Sequence, residues 1–213
     1  MAAMSGNDSD VWVSALPSIT IGGTPETCNN IDSGTWIKYQ AAVHKYWDRN
    51  AVLTVQCSPN GSTGWATATD YTFDWIGGIV TFNTARVSGT NNFVRIQAGF
   101  YFNVSQVAQC GSWELDMKTN VVTTDVFQGS GWGSSQASMK SATGKVGSFI
   151  PDSTLATQLA NLLVFILYTT KTVGSRFECY GFLTGVAPKS SMAGVVEQEV
   201  GFVVDGQVYY RAT

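Results

Sequence analysis

The sequence predicts a mainly β protein, a β-sandwich or barrel with one flanking α-helix and a long inter-strand loop. Residues 70–82 read as a hairpin of two aromatic and β-branched runs. Similar short runs, separated by turn residues, recur along the chain. Only 13% of the residues are charged, and 22 are glycine. The 213 residues suffice to bury a core, so we expect a β fold with many turns.

The strongest strand signal is DYTFDWIGGIVTF, residues 70–82. Gly77-Gly78 suits a two-residue type I′ turn, which needs positive φ at both central positions. Such a turn pairs Phe73 with Phe82. Because side chains alternate along a strand, we expect one core-facing set. Its members are Phe73, Trp75, Val80 and Phe82.

The first half also contains a helix-like pattern. In WIKYQAAVHKYWDRN, residues 36–50, apolar side chains recur at intervals of three and four. These side chains are Trp36, Tyr39, Val43, Tyr46 and Trp47. This spacing predicts a short helix over 36–47. Strands are predicted at 11–21, 51–58, 92–108 and 112–117.

A stretch rich in Gly, Ser and Thr spans residues 118–148. It predicts a long loop at about 118–143, with the next strand beginning near Gly144. Loops of this length are usually functional or ordered by a partner. Because it carries Val126, Phe127 and Trp132, two interpretations stay open: a loop folded over its own core, or an interface loop.

The second half predicts one helix among strands. PDSTLATQLANLL, residues 151–163, has Asp152 or Ser153 to cap a helix and a stripe of leucines. Strands are predicted at 162–168, 176–187 and 196–211. Asp205-Gly206 interrupts the last of these, which predicts a second hairpin.

The domain prediction is a flexible segment at 1–10 followed by one β domain over 11–213. The first ten residues lack the apolar run of a signal peptide, and the apolar run at 162–168 is too short to span a bilayer. We therefore expect folding in a reducing cytoplasm. The cysteines match no zinc or redox spacing and are interpreted as small buried side chains. They are Cys28, Cys57, Cys110 and Cys179.

A search for catalytic groups finds no enzyme site, so neither enzyme activity nor a cofactor or metal is expected. His44 is the one histidine, and no nucleophile elbow or phosphate loop is present. The close carboxylate pairs are Glu114/Asp116 and Glu197/Glu199. Each pair is spaced i, i+2 on a predicted strand, so its members share a face. They suit a solvated strand face better than a weak cation site.

The charge distribution argues against nucleic-acid binding. The formal net charge is −3. Residues 1–106 carry 5 basic and 7 acidic side chains, and residues 107–213 carry 7 and 8. No basic patch that could hold phosphates is visible. A chain with low charge and no enzyme site is typical of a self-assembling structural subunit.

The order of five stretches resembles the major tail tube proteins of long-tailed, siphovirus-type bacteriophages. These stretches are VHKYWDRNAVLTV (43–55), DYTFDWIGGIVTF (70–82), FVRIQAGFY (93–101), WELDMKTNVVTTDVF (113–127) and TGVAPKSSMAGVVEQEVGFVVDGQVYY (184–210). The resemblance lies in order and spacing, because each motif is degenerate. Arg49 stands where the family often has proline.

The resemblance implies a tail-tube β fold whose hexameric rings stack into the conduit for DNA ejection. It places the chain in the virion tail, assembled in the cytoplasm of the host bacterium. The implied partners are further copies of the chain and the tape-measure, tail terminator and distal-tail proteins. DNA would pass through without specific binding.

Two sets of site residues follow. Candidates for ring stacking, by the family's use of an equivalent loop, are Asp125, Val126, Phe127, Trp132 and Lys140. Candidates for lining the pore are Glu114, Asp116, Glu197 and Glu199.

Two other functions compete with the tail tube. A tail terminator or distal-tail ring protein would share the fold but form a single ring. A β-sandwich carbohydrate-binding module would use exposed tryptophans such as Trp65 and Trp132. Assembly behaviour distinguishes the first alternative, and a glycan screen distinguishes the second.

Overall fold

The structure, a computed structural model, describes residues 10–14, 18–107, 110–124, 134–148, 155, 157–169, 174–190 and 196–212. These residues form seventeen strands and almost no helix, which confirms the mainly β prediction and is consistent with a β-sandwich or barrel. The chain divides into two compact units. Unit 1 comprises Met1–Val13 and Ser105–Thr213, and unit 2 comprises Ser14–Val104. The single domain over 11–213 stays a prediction.

An eight-stranded sheet forms unit 1, with the order β11-β1-β14-β15-β16-β13-β12 and β17 paired to β15. Its strands are β1 Val11–Ser14, β11 Val104–Gln106, β12 Cys110–Thr124, β13 Ser134–Ser148, β14 Leu162–Tyr168, β15 Arg176–Ser190, β16 Val196–Val204 and β17 Tyr209–Arg211. Every residue of β14 except the last is buried. The continuous apolar run of this strand therefore reflects burial on both faces. The rings of Phe165 on β14 and Phe202 on β16 stack with centroids 4.3 Å apart.

A seven-stranded sheet, order β6-β5-β9-β3-β4-β8-β7, and a two-stranded sheet, β10-β2, form unit 2. The strands are β2 Ile19–Thr20, β3 Glu26–Asn30, β4 Lys38–Ala41, β5 Thr54–Ser58, β6 Ala66–Thr67, β7 Tyr71–Asp74, β8 Ile79–Phe82, β9 Phe93–Ala98 and β10 Phe100–Tyr101. The core is lined by alternate residues of the larger sheet and by Trp47, which is fully buried.

The 70–82 hairpin is present, but its predicted register is wrong by two residues. Phe73 lies opposite Val80 rather than Phe82, so residues 75–78 form a four-residue connection. The turn is longer because Ile76 is buried and forms a bridge with Tyr46. A slip of two residues keeps the alternation of faces. The predicted core-facing set is therefore retained: Val80 and Phe82 lie in the core, and Phe73 and Trp75 pack against it.

The predicted helix over 36–47 is wrong. Lys38–Ala41 is strand β4, and its burial alternates with a period of two, with Tyr39 and Ala41 buried. Apolar and aromatic residues at 36, 39, 43 and 46 fit a helical period, but pairing of β4 with β3 and β8 decides the structure.

The start of the same segment is held in a non-helical turn by Asp32. Its carboxylate accepts the N–H of Trp36 at 3.1 Å and those of Ile37 and Lys38 at 2.7 Å. Trp36 itself has φ 55°, outside the helical region.

The predicted flanking helix at 151–163 is reduced to a short turn in the part that the structure describes. Leu155 and Thr157 are helical, and residues 151–154 and 156 lie outside the described residues. Ala160 has φ 65°, which ends any helix there, and Leu162 already begins β14. The leucines predicted as a helical stripe are therefore divided between a turn and a buried strand.

The predicted hairpin at Asp205-Gly206 is also wrong. After β16, the chain does not reverse: β17 pairs with β15, as β16 does, with Tyr209 opposite Glu178. Tyr209 follows Val204 by five positions, whereas their partners on β15, Glu178 and Gly181, are only three positions apart. Asp205-Gly206 therefore belongs to a bulge within one interrupted strand.

Most of the predicted loop at about 118–143 is strand. In the described residues, β12 and β13 pair from Cys110–Ser148 through to Thr124–Ser134. The β-branched run at 121–124 suits this pairing, whereas glycine and serine dominate the composition. Residues 125–133, the predicted tip, lie outside the described residues.

Gly144 provides a test of the packing in unit 1. A Cβ at this position would lie 2.2 Å from Cζ of Phe202 and 2.8 Å from the carbonyl oxygen of Glu114. We expect Gly144→Ala to lower the free energy of unfolding by about 3 kcal/mol, because β13 must move away from both neighbours. Gly185→Ala, where a Cβ meets no atom within 4 Å, is the control. Equal effects of the two substitutions in urea denaturation would contradict this packing.

Candidate assembly surfaces

The β12–β13 hairpin continues past the end of its pairing with β16. The last pair between β13 and β16 is Thr143–Val203. From Met117–Ala142 to Thr124–Ser134, the described strands pair only with each other. We call this two-stranded part, residues 117–124 and 134–142, the ribbon. Eight residues of strand extend about 27 Å at about 3.4 Å per residue.

A two-stranded ribbon is marginally stable in water unless one of its faces is covered. At its base, Met117 is 39% exposed, and Lys118 and Lys140 are exposed. The ribbon therefore exposes unpaired backbone groups and the apolar side chain of Met117. Contact with a partner would cover both and stabilise the ribbon.

Strand β12 is also an edge of the unit 1 sheet. It is fifteen residues long and, in the described chain, pairs only with β13. Proteins usually shorten or cover such edges, because unpaired N–H and C=O groups can pair with another chain. A long edge of this kind is suited to extension of the sheet by a second strand.

The face of the sheet that points away from the core carries charge. Trp113, Val146 and Val200 form a buried row across three strands. Their neighbours Glu114 and Lys145 form the next row, which alternation places on the opposite face.

Two ion pairs organise this face. Lys118 Nζ lies 2.6 Å from Asp116 Oδ2, and Lys145 Nζ lies 3.0 Å from Glu199 Oε1. The hydrogen bond and charge of each carboxylate raise the pKa of its lysine. With Glu114, the described side chains give three carboxylates and two lysines, a nearly balanced charge.

The predicted pore-lining residues therefore lie close together. Glu114 and Asp116 on β12 and Glu199 on β16 occupy one face, on either side of β13. Glu197 lies opposite Lys189 in the β15–β16 register. Their lining of a pore stays a prediction.

Of the five predicted stacking residues, the structure describes only Lys140. Asp125, Val126, Phe127 and Trp132 lie outside the described residues. Lys140 lies on β13 opposite Thr119 and is exposed on the ribbon.

Glu178 is a carboxylate that the sequence analysis did not single out. It is only 2% exposed and lies between two arginines. Arg176 Nε donates to one oxygen at 2.6 Å, and Arg211 Nε donates to the other at 3.2 Å. Because Arg211 lies on β17, this carboxylate holds the last strand against β15. The spacing of Arg176 and Glu178, i and i+2, was an available signal for one of the two pairs.

Trp65, the exposed tryptophan of the carbohydrate-binding alternative, already has a partner. The Arg95 guanidinium lies over its ring, 4.0 Å from the centroid. Gln56 Oε1 accepts from Arg95 Nε at 3.0 Å and from Nη2 at 2.8 Å, which fixes the stack. One ring face is therefore occupied within the chain.

The interpretation of the cysteines as buried side chains holds for those whose side chains are described. Cys28, Cys57 and Cys179 are buried and free. Burial raises the pKa of Cys28 and of Cys179 to about 12, so both stay neutral thiols. Among the described residues, no three metal-ligating side chains cluster, and no helix could span a membrane.

Glu178 and Glu199 make a matched pair for testing which carboxylates support the fold. Glu178→Gln leaves two arginines without their shared countercharge. We therefore expect the free energy of unfolding to fall by about 2 kcal/mol, less than for a fully buried pair because both arginines are partly exposed. Glu199→Gln removes a solvated pair and should leave the urea midpoint nearly unchanged. A larger loss for Glu199→Gln would reverse this assignment.

Comparison with known proteins finds no matching family model and no matching curated protein. One similar solved chain is from the "Virion of native gene transfer agent (GTA) particle", with TM-score 0.43, 13% identity, and coverage of 51% of this chain and 89% of that chain. Another is from the "Tail of empty GTA particle computed with helical refinement, C6 symmetry", with TM-score 0.39, 12% identity, and coverage of 75% and 96%. At TM-scores and identities this low, these similarities do not establish a shared function.

Proposed function

We propose that this chain is a structural virion protein that assembles into stacked hexameric rings, the tail tube of a long-tailed phage. The observation that carries the proposal is the long open edge of β12 together with the ribbon. The ordered resemblance of five sequence stretches supports the same assignment. The proposal includes no enzymatic activity.

The edge of β12 supports association within a ring. Addition of a strand from a neighbouring copy would satisfy the edge N–H and C=O groups by ordinary ladder hydrogen bonds. Repetition of that contact by rotation closes a ring and leaves no open edge. The ring removes the aggregation hazard that the edge poses in a monomer.

The ribbon supports stacking between rings. It continues about 27 Å past the last pair with β16, and over that length its described strands pair only with each other. Contact of this ribbon with a different surface on the next copy is a heterologous contact, which generates a filament when it does not close.

The charged face supports a role in a conduit. Its three carboxylates and two ion-paired lysines offer no cluster of cations to hold phosphates. Each phosphate contact would slow the passage of DNA. In this proposal, DNA passes through the tube without specific binding. The tape-measure, tail terminator and distal-tail proteins are partners, and the subunit assembles in the host cytoplasm.

Met117 provides a direct test of the ribbon as an assembly element. Met117→Lys places a charge on an edge strand, a substitution that opposes strand addition. We expect assembly, measured by sedimentation velocity, to fall at least about tenfold while circular dichroism shows a folded chain.

Leu159→Lys is the matched control, because Leu159 is a similarly exposed hydrophobic residue of unit 1 outside the ribbon. It should assemble like the original chain. Unchanged assembly of the Met117 variant, or equal loss in both variants, would count against the ribbon as the contact surface.

A further inference from the structure

A short segment of unit 2 lies outside the sheets yet holds several of them together. Residues 42–47, AVHKYW, follow β4, and we call them the strap. The strap contacts the turn of the 70–82 hairpin on one side. The Gly77 N–H donates to the Lys45 carbonyl at 2.7 Å, and the Trp47 N–H donates to the Trp75 carbonyl at 3.0 Å.

On its other side, the strap contacts β10 and the residue that follows it. The Phe102 N–H donates to the Tyr46 carbonyl at 2.8 Å, and Trp47 forms a bridge with Tyr101. The Trp47 side chain is fully buried, and its indole N–H donates to the His44 carbonyl at 2.9 Å. The strap therefore places the largest side chain of this core.

One buried carboxylate holds the middle of the strap. The Glu26 side chain, on β3, is only 5% exposed. Its Oε1 accepts the N–H groups of Val43 and His44, both at 2.7 Å, and its Oε2 contacts His44 Nδ1. The His44 ring stacks on Tyr101 with centroids 3.6 Å apart. Three contacts to the strap thus depend on a single ionisable group.

The surroundings offer few competing charges. The titratable neighbours on these elements are Cys28 on β3, Tyr101 on β10, and Lys45 and Tyr46 within the strap, and the turn at 75–78 contributes none. Burial raises the pKa of Cys28 to about 12, so its thiol carries no charge at neutral pH.

We propose that Glu26 and His44 form an acid-sensitive latch whose opening releases the strap before the sheets of unit 2 unfold. When Glu26 takes up a proton, its charge is lost and one oxygen becomes a donor. A proton on Oε1 would meet the N–H groups of Val43 and His44, and a proton on Oε2 would meet the imidazole hydrogen when Nδ1 carries one. Backbone pairing of β3 with β4 and β9 does not depend on this charge.

The backbone of the strap is held differently from the backbone of the strands. In the described chain, it joins the neighbouring strands through isolated bridges and single hydrogen bonds, not through a ladder. Segments of this kind open at lower free energy than the strands of a sheet. Release would expose Trp47 and the turn that fixes the hairpin register.

Hydrogen exchange on the full chain tests the latch. Protection factors, corrected for intrinsic exchange, are compared at about pH 7 and about pH 3, which is below the ordinary pKa of a solvated glutamate. The amides of Trp47, Gly77 and Phe102 report on the strap, and those of Val94 and Ile96 report on the central strand β9. We expect acid to lower strap protection at least about tenfold and to leave β9 protected.

Glu26→Gln should show weak strap protection already at neutral pH and no further loss in acid. Glu114→Gln, at an exposed carboxylate of unit 1, should behave like the original chain. Equal loss at the strap and β9 would overturn the proposal, as would a Glu26→Gln variant that keeps full protection and the acid response.

His44→Phe decides the question if Glu26→Gln does not fold. The phenyl ring can keep the stack on Tyr101 but cannot contact Glu26 through Nδ1. A smaller acid response of the strap supports the latch, and an unchanged response overturns it.

Discussion

The pairing of β13 with β16 is the constraint on which the features of unit 1 depend. Six pairs, from Thr143–Val203 to Ser148–Gln198, attach the β12–β13 hairpin to the rest of the sheet. Beyond Thr143–Val203, β12 and β13 continue as a pair as far as Thr124–Ser134. The same pairs therefore define the ribbon, leave β12 as the edge, and fix which face carries Glu114, Lys145 and Glu199. Gly144 permits the close approach, because Phe202 fills the space of its missing side chain.

Patterns of alternation could be predicted from the sequence, and exact pairings could not. In the 70–82 hairpin, the core-facing set is right although the register slips by two, because the side-chain period of a strand is two. The slip itself depends on Ile76 bridging Tyr46, thirty residues earlier in the chain. No local pattern contains that contact. The same holds for β17, whose partner is β15 rather than the adjacent β16.

The two helix predictions and the loop prediction failed for different reasons. The apolar and aromatic residues of 36–47 fit a helical period, and Tyr39 and Ala41 also fit the period of a strand, so periodicity alone could not decide. At 118–143, glycine and serine gave the composition of a loop, but the ladder between β12 and β13 makes the described part strand.

Buried carboxylates were the least predictable feature. Glu26 meets strap residues seventeen and eighteen positions away, and Glu178 meets Arg211, thirty-three positions away. The candidate face was predictable in part, because Glu114/Asp116 and Glu197/Glu199 have the i, i+2 spacing of a shared strand face. That β12 and β16 lie on either side of β13 depends on topology, which the spacing does not contain.

The central claim is that this chain polymerises into a tube of stacked rings. Negative-stain electron microscopy of the purified full chain, from dilute to concentrated solution, tests it most directly. The account predicts tubes of uniform diameter with a central channel and sixfold symmetry in end views. Single rings that never lengthen at any concentration would contradict it and would favour a terminator or distal-tail ring instead.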